Sequence, residues 1–258
     1  AYTLLGEISQ ALARRREACT YFEAALRFDK SDLKALTSYA VLQRGNEVLV
    51  SCRERLETQL DEHPTWPDLH FQMGQILAAE GKHKEAVASY MEALRFNSSY
   101  GSAYRGLGDL YVIQRKNTQA IEFYLKALHY QPGDLLAYHA LSRLYRALGL
   151  VAPAVNVLEE LVARCPHHSP AQQELLTLRE ALELLDDEIR TLESAVEINP
   201  DFSDNLCNLG DAYTRRGLFD KAVSCFKRAL RFNPDLMSAK EQLLRVKAIR
   251  ERIQRGAG

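Results

Sequence analysis

A chain of 258 residues, 47% hydrophobic and 26% charged, has the make-up of a globular or repeat protein rather than a disordered one. Its formal charge of −1 excludes bulk attraction to nucleic acid or to an anionic membrane surface, and no apolar run reaches the length of a spanning helix. The opening AYTLLGEISQ lacks a basic start and an apolar stretch, and the five cysteines, without CxxC spacing, suit reduced thiols, so the expectation is a cytoplasmic protein without membrane insertion.

In chain order, the elements repeat every 34 residues. The stretch GLGDLYVIQRKNTQAIEFYLKALHYQP, Gly106 to Pro132, returns 102 residues later as NLGDAYTRRGLFDKAVSCFKRALRFNP, Asn208 to Pro234. Steps of 34 from Gly108 reach Gly6, Ala40, Gly74, Ser142, Leu176 and Gly210. Steps from Tyr124 reach Phe22, Leu56, Tyr90, Leu158, Leu192 and Phe226, and steps from Pro132 reach Lys30, Pro64, Ser98, Pro166, Pro200 and Pro234. This register predicts seven units, 1–32, 33–66, 67–100, 101–134, 135–168, 169–202 and 203–236, followed by a capping helix over 237–255.

Each unit reads as two short helices. In the fourth, Tyr104, Leu107, Gly108 and Tyr111 form an i, i+3, i+4, i+7 stripe, and Ala120, Tyr124 and Ala127 form a second beyond the polar RKNTQ. Gly81, Gly149 and Gly217 mark the break between helices, and proline ends most units. A Gly or Ala on one helix lets an aromatic of the other approach. One such hairpin cannot bury its own face, so neighbours must stack. The second unit departs from the pattern, with Cys52 and Gln59 where Ala is usual. The sixth departs further, with Leu176 and Glu188 at the close-packing positions and Asp186-Asp187 as candidate caps of a second helix. Glu188 on the seam calls for a side chain that snorkels to solvent or for a looser hairpin, with a bend in the array.

Leu107, Gly108, Tyr111, Ala120, Tyr124, Ala127 and Pro132, with Leu209, Gly210, Tyr213, Ala222, Phe226, Ala229 and Pro234, carry a resemblance to the tetratricopeptide repeat family. The resemblance implies an all-α fold, a right-handed superhelical solenoid of seven antiparallel helix hairpins plus the capping helix. It also implies a non-catalytic scaffold or adaptor that binds a peptide or helical segment of a partner protein in a concave groove, without a cofactor. The alternative is a substrate-recruiting region of a larger enzyme, for example a glycosyltransferase. Self-association is left open.

The family's groove positions fall here on Lys34, Thr37, Val41 and Arg44, then Phe71, Gln72 and Gln75, then Arg105, Asp109 and Val112. They continue through His139, Arg143 and Arg146 to Asn208, Asp211, Thr214 and Arg215. Arg105, Arg143 and Arg146 with His139 suggest a pocket for a carboxylate or acidic segment, against an Asp109–Arg143 ladder that would serve only the stack. The Lys/Asn clamp of chaperone-binding relatives has no match at Thr37 and Val41, Phe71 and Gln75, Arg105 and Asp109, or His139 and Arg143. An asparagine ladder reduces to Asn208.

Catalytic and metal patterns are weak. Cys165, His167 and His168 lie in the linker between Pro166 and Pro170 without the second ligand pair of a zinc site, so a solvated turn is expected. The Arg14–Arg16 run and the basic tail near Arg250 read as solvated faces, not as a nucleic-acid surface.

Overall fold

The computed structural model describes residues 1–11, 14–29, 32–43 and 46–257. Among these the chain is all-α, with fourteen helices and no strand, and no helix long and apolar enough to cross a membrane. The helices are α1 (Tyr2–Ala11), α2 (Arg15–Phe28), α3 (Leu33–Gln43), α4 (Asn46–Glu62), α5 (Pro67–Ala79), α6 (His83–Phe96), α7 (Gly101–Ile113) and α8 (Asn117–Tyr130). They continue as α9 (Leu135–Ala147), α10 (Val151–Arg164), α11 (Ser169–Ile198), α12 (Ser203–Arg215), α13 (Phe219–Phe232) and α14 (Met237–Ala257). The chain divides into two compact units, residues 1–115 with 126–136, and residues 116–125 with 137–258.

The 34-residue period is kept to the residue. From α3 onward, the first helix of every period starts at Leu33, Pro67, Gly101, Leu135, Ser169, Ser203 and Met237. Six periods carry two helices each. The sixth does not, because α11 runs unbroken for 30 residues, about 45 Å at 1.5 Å per residue. The turn between paired helices needs a residue in the left-handed region, supplied by Gly81 (φ 81°), Gly149 (φ 74°) and Gly217 (φ 78°), and in the fourth period by Arg115 (φ 58°). At the same step the sixth period has Glu183 inside REALELLDDEIR, a run of good helix formers without Gly or Pro, so the helix continues. Asp186 and Asp187 are therefore interior helical residues and cap nothing. Glu188 reaches solvent and pairs with Arg215, while the other seam residue, Leu176, is 61% exposed.

In the first unit the small-against-aromatic seam is plain. A Cβ on Gly6 would lie 2.6 Å from the Phe22 ring, and one on Gly74 would lie 2.5 Å from Tyr90, closer than any real carbon contact. Ala18, Phe22, Ala25 and Ala35 form one buried cluster. Residues before each period's end add a second periodic device: Tyr2 stacks on Phe28, His70 on Phe96 and Tyr104 on Tyr130, each with ring centres 5.4 Å apart.

The second unit repeats the seam at Gly210, whose Cβ would meet Phe226 at 2.7 Å. Its core gathers Leu185, Ile189, Leu206, Phe226 and Val246, with Val151 and Phe219 packed against it. Because α11 does not turn, α12, α13 and α14 start at its far end and come back along it. α14 then reaches the start of α8 and the turn before α10: Arg252 bonds Glu122 at 2.6 Å, and Arg245 donates to the Leu148 carbonyl at 2.7 Å. A Cβ on Gly256 would stand 2.8 Å from Leu125, so glycine is what lets α14 lie this close.

Candidate partner-binding groove

Five of the groove residues expected in the first unit, Val41, Phe71, Gln75, Arg105 and Asp109, line an open cavity of about 370 Å³. Val41, Phe71 and Ile113 give it apolar walls; Gln10, Gln75 and Asp109 supply polar edges. Its floor is the Tyr90 ring, which fits only because Gly106 has no side chain: a Cβ there would lie 2.6 Å from Tyr90 Cζ. Phe71 is held at 5.7 Å from Tyr90 and 5.3 Å from Tyr100, and Tyr100 donates to Asp68. Burial raises the pKa of Tyr90, and of Tyr100 together with its bond to Asp68, so both phenols stay neutral.

Arg105 reaches this cavity, but its charge is already answered. Its Nε donates to Asp134 Oδ2 at 2.7 Å, and Asp109 lies 3.9 Å from Nη1. Asp134 is 7% exposed and also accepts the Leu136 N–H at 3.0 Å, capping α9. Two residues expected in the groove are instead buried: the Thr37 hydroxyl donates to Gln72 at 3.4 Å and lies 3.6 Å from Cys52 Sγ. Lys34 is exposed and pairs with Glu7 at 2.6 Å, and Arg44 lies outside the described residues.

A recurring linker position organises this arrangement. In four periods the residue just before the next first helix meets the residue 29 places earlier. Thr3 donates to Asp32 at 2.6 Å, Phe71 packs on Tyr100, Arg105 binds Asp134, and His139 Nε2 lies 3.5 Å from His168 Nε2. Asp32, Asp134 and His168 also accept a backbone N–H of the helix they precede. Each such residue therefore caps one helix and ties it to the preceding period. The recurring separation of 29, with matched chemistry at its two ends, was present in the sequence as a signal.

In the second unit His139 is half-buried. Burial first, then His168 and Arg143, pull its pKa below 6.5, against Glu174. His168 Nδ1 accepts the Ala171 N–H at 3.2 Å, so the neutral ring carries its proton on Nε2, toward His139. His168 is thus a buried helix cap and not part of a solvated turn. Among the described residues no three His, Cys, Asp or Glu side chains are grouped to hold a metal.

Arg146 pairs with Glu174 at 2.7 Å, Arg143 is exposed, and Asn208 is exposed. Arg215 makes a two-pronged contact to Glu188 at 2.9 and 3.0 Å, and Asp211 has a pKa raised by burial against the pull of Arg245 and Arg215. Of the three arginines expected to form one pocket, Arg105 and Arg146 are already paired with acids, and Arg143 is exposed.

Tetratricopeptide repeat models match residues 1–32, 74–114, 101–134 and 204–236. Among solved structures, TTC0263, a thermophilic tetratricopeptide repeat protein of Thermus thermophilus, is 20% identical with a TM-score of 0.53, over 69% of this chain and 96% of that one. A chain of the APC/C Cut9–Hcn1 hetero-tetramer is 16% identical with a TM-score of 0.55, over 97% of this chain and 51% of that one, so this chain spans about half its length. At such identities the likeness concerns the fold alone. No curated protein matches the chain.

Proposed function

The chain is a tetratricopeptide repeat protein, an interaction scaffold built of helix repeats, and from that premise we propose that its first unit holds an extended segment of a partner protein. The observation that carries this reading is the open cavity that combines apolar walls, Val41, Phe71 and Ile113, with the hydrogen-bonding edges Gln10, Gln75 and Asp109. An extended chain alternates its side chains between two sides, so it can seat apolar residues on the walls and meet the polar edges with its backbone. With Arg105 answered by Asp134, the cavity favours apolar anchors and donors to Asp109 over an acidic ligand. The side chain most central to the contact is Phe71, a fixed aromatic with little conformational freedom left to lose.

The test is affinity capture with the wild-type chain and with a Phe71→Ala, Gln75→Ala variant, followed by binding of peptides from the captured protein. Loss of capture by a variant with an unchanged circular-dichroism melt supports the groove. Undiminished capture refutes it.

A further inference from the structure

The sixth period lacks the second helix that would cover its seam, and the side of α11 turned away from the core carries the consequence. Leu175, Leu178, Leu185, Ile189 and Val196 face inward, whereas Leu176, Leu184 and Ile198 are 61%, 72% and 77% exposed. At about 100° per residue these three fall within about 80° of one another on the helix, with Glu180, Glu183 and Asp187 in the same sector. At the foot of this stripe Ile198 and the half-exposed Phe202 border an open hollow of about 580 Å³ that also includes Asp201.

The electrostatics of the stripe are one-sided. Residues 169–202 hold nine acidic and two basic residues. Arginines outside this stretch answer three of the acids, Arg146 at Glu174, Arg215 at Glu188 and Arg216 at Asp186, which leaves an acidic excess. Asp187 is answered by Arg190, while Glu180 and Glu183 stand exposed beside Leu184. An apolar stripe of helical pitch, flanked by carboxylates and ending in a hollow, matches an amphipathic helix with the opposite charge.

We propose that α11 is a second docking surface, separate from the first unit's groove, which takes a basic amphipathic helix of a partner protein laid along it. Apolar residues of that helix cover Leu176 and Leu184 and fill the hollow at Ile198 and Phe202. Its lysines or arginines face Glu180 and Glu183.

The test uses the full chain and two labelled helical peptides of equal length, one of leucine and lysine and one of leucine and glutamate, followed by fluorescence anisotropy. The leucine–lysine peptide is expected to bind saturably and one-to-one, more weakly at high salt, and the leucine–glutamate peptide not to bind. Leu176→Ser with Leu184→Ser should weaken binding by at least about tenfold, or about 1.4 kcal/mol. Glu180→Lys with Glu183→Lys, at exposed positions where folding is unaffected, should abolish it. Equal binding of both peptides, absent saturation, or affinity indifferent to either variant would overturn the proposal. So would wild-type self-association in sedimentation that disappears with the leucine substitutions, since a second copy would then be the occupant.

Discussion

Gly74→Ala adds one methyl group where the structure has no room for it. The new Cβ would lie 2.5 Å from Tyr90 Cε1. The ring has little room to move, because the Gly106 backbone also crowds it, a Cβ there standing 2.6 Å from Cζ, and Tyr90 is only 4% exposed. Alanine in a helix interior is worth about 1 kcal/mol over glycine, and overpacking a tight core costs about 1–3 kcal/mol. With the ring crowded by two helix backbones the cost falls in the upper part of that range, and the net effect is a loss of about 1–2 kcal/mol. Replacing the ring should reverse the sign: on a Tyr90→Leu background, Gly74→Ala should stabilise by as much as about 1 kcal/mol. Urea unfolding of the four chains of this cycle, followed by circular dichroism, measures both terms. A higher midpoint for Gly74→Ala in the wild-type background would refute the packing argument.

Three further outcomes are expected. Arg105→Ala leaves the buried Asp134 carboxylate without its guanidinium and should destabilise the chain by about 2 kcal/mol or more, read from the urea midpoint; an unchanged midpoint would show that water serves Asp134 as well. Glu183→Pro should break α11 at a cost of about 3 kcal/mol and lower the helical signal at 222 nm, whereas a chain able to form the missing hairpin would keep its stability. Since the folded-state pKa of His139 is depressed, the unfolded chain binds more protons just below about pH 6.5, so this residue's stabilisation is complete above that pH and lost as pH falls from there through the lower folded-state pKa. Urea midpoints at neutral and mildly acidic pH should differ less in His139→Gln, and an equal pH dependence in both chains would place the titration elsewhere.

Residue spacing alone determined the all-α class, the period, the ends of most helices and the seam of glycine or alanine against an aromatic. These depend on contacts within one helix or between two helices joined by a short turn, and a 34-residue repeat prints the same contacts again and again. In the sixth period Glu183 stands where Gly81, Gly149 and Gly217 take positive φ, and the run around it, unlike RKNTQ at Arg115, is strongly helix-forming. The 34-residue register overrode that local signal.

Only the tertiary structure decided which polar side chains are spent on the stack. Arg105 and Arg146 look available in the sequence, yet their acids, Asp134 at the end of the same period and Glu174 in the next one, are 29 and 28 residues away and meet them only when successive helices pack. Thr37 and Gln72 share a face of the repeat with groove residues, but they are sealed between neighbouring helices. The contacts of α14 with Glu122 and Leu148 span 130 and 97 residues and follow from the straightness of α11, which carries the last three helices to its far end before they turn back. Periodicity encodes what each helix shows to its neighbours. Which charges remain after stacking, and which leucines remain uncovered, is settled by how those neighbours meet.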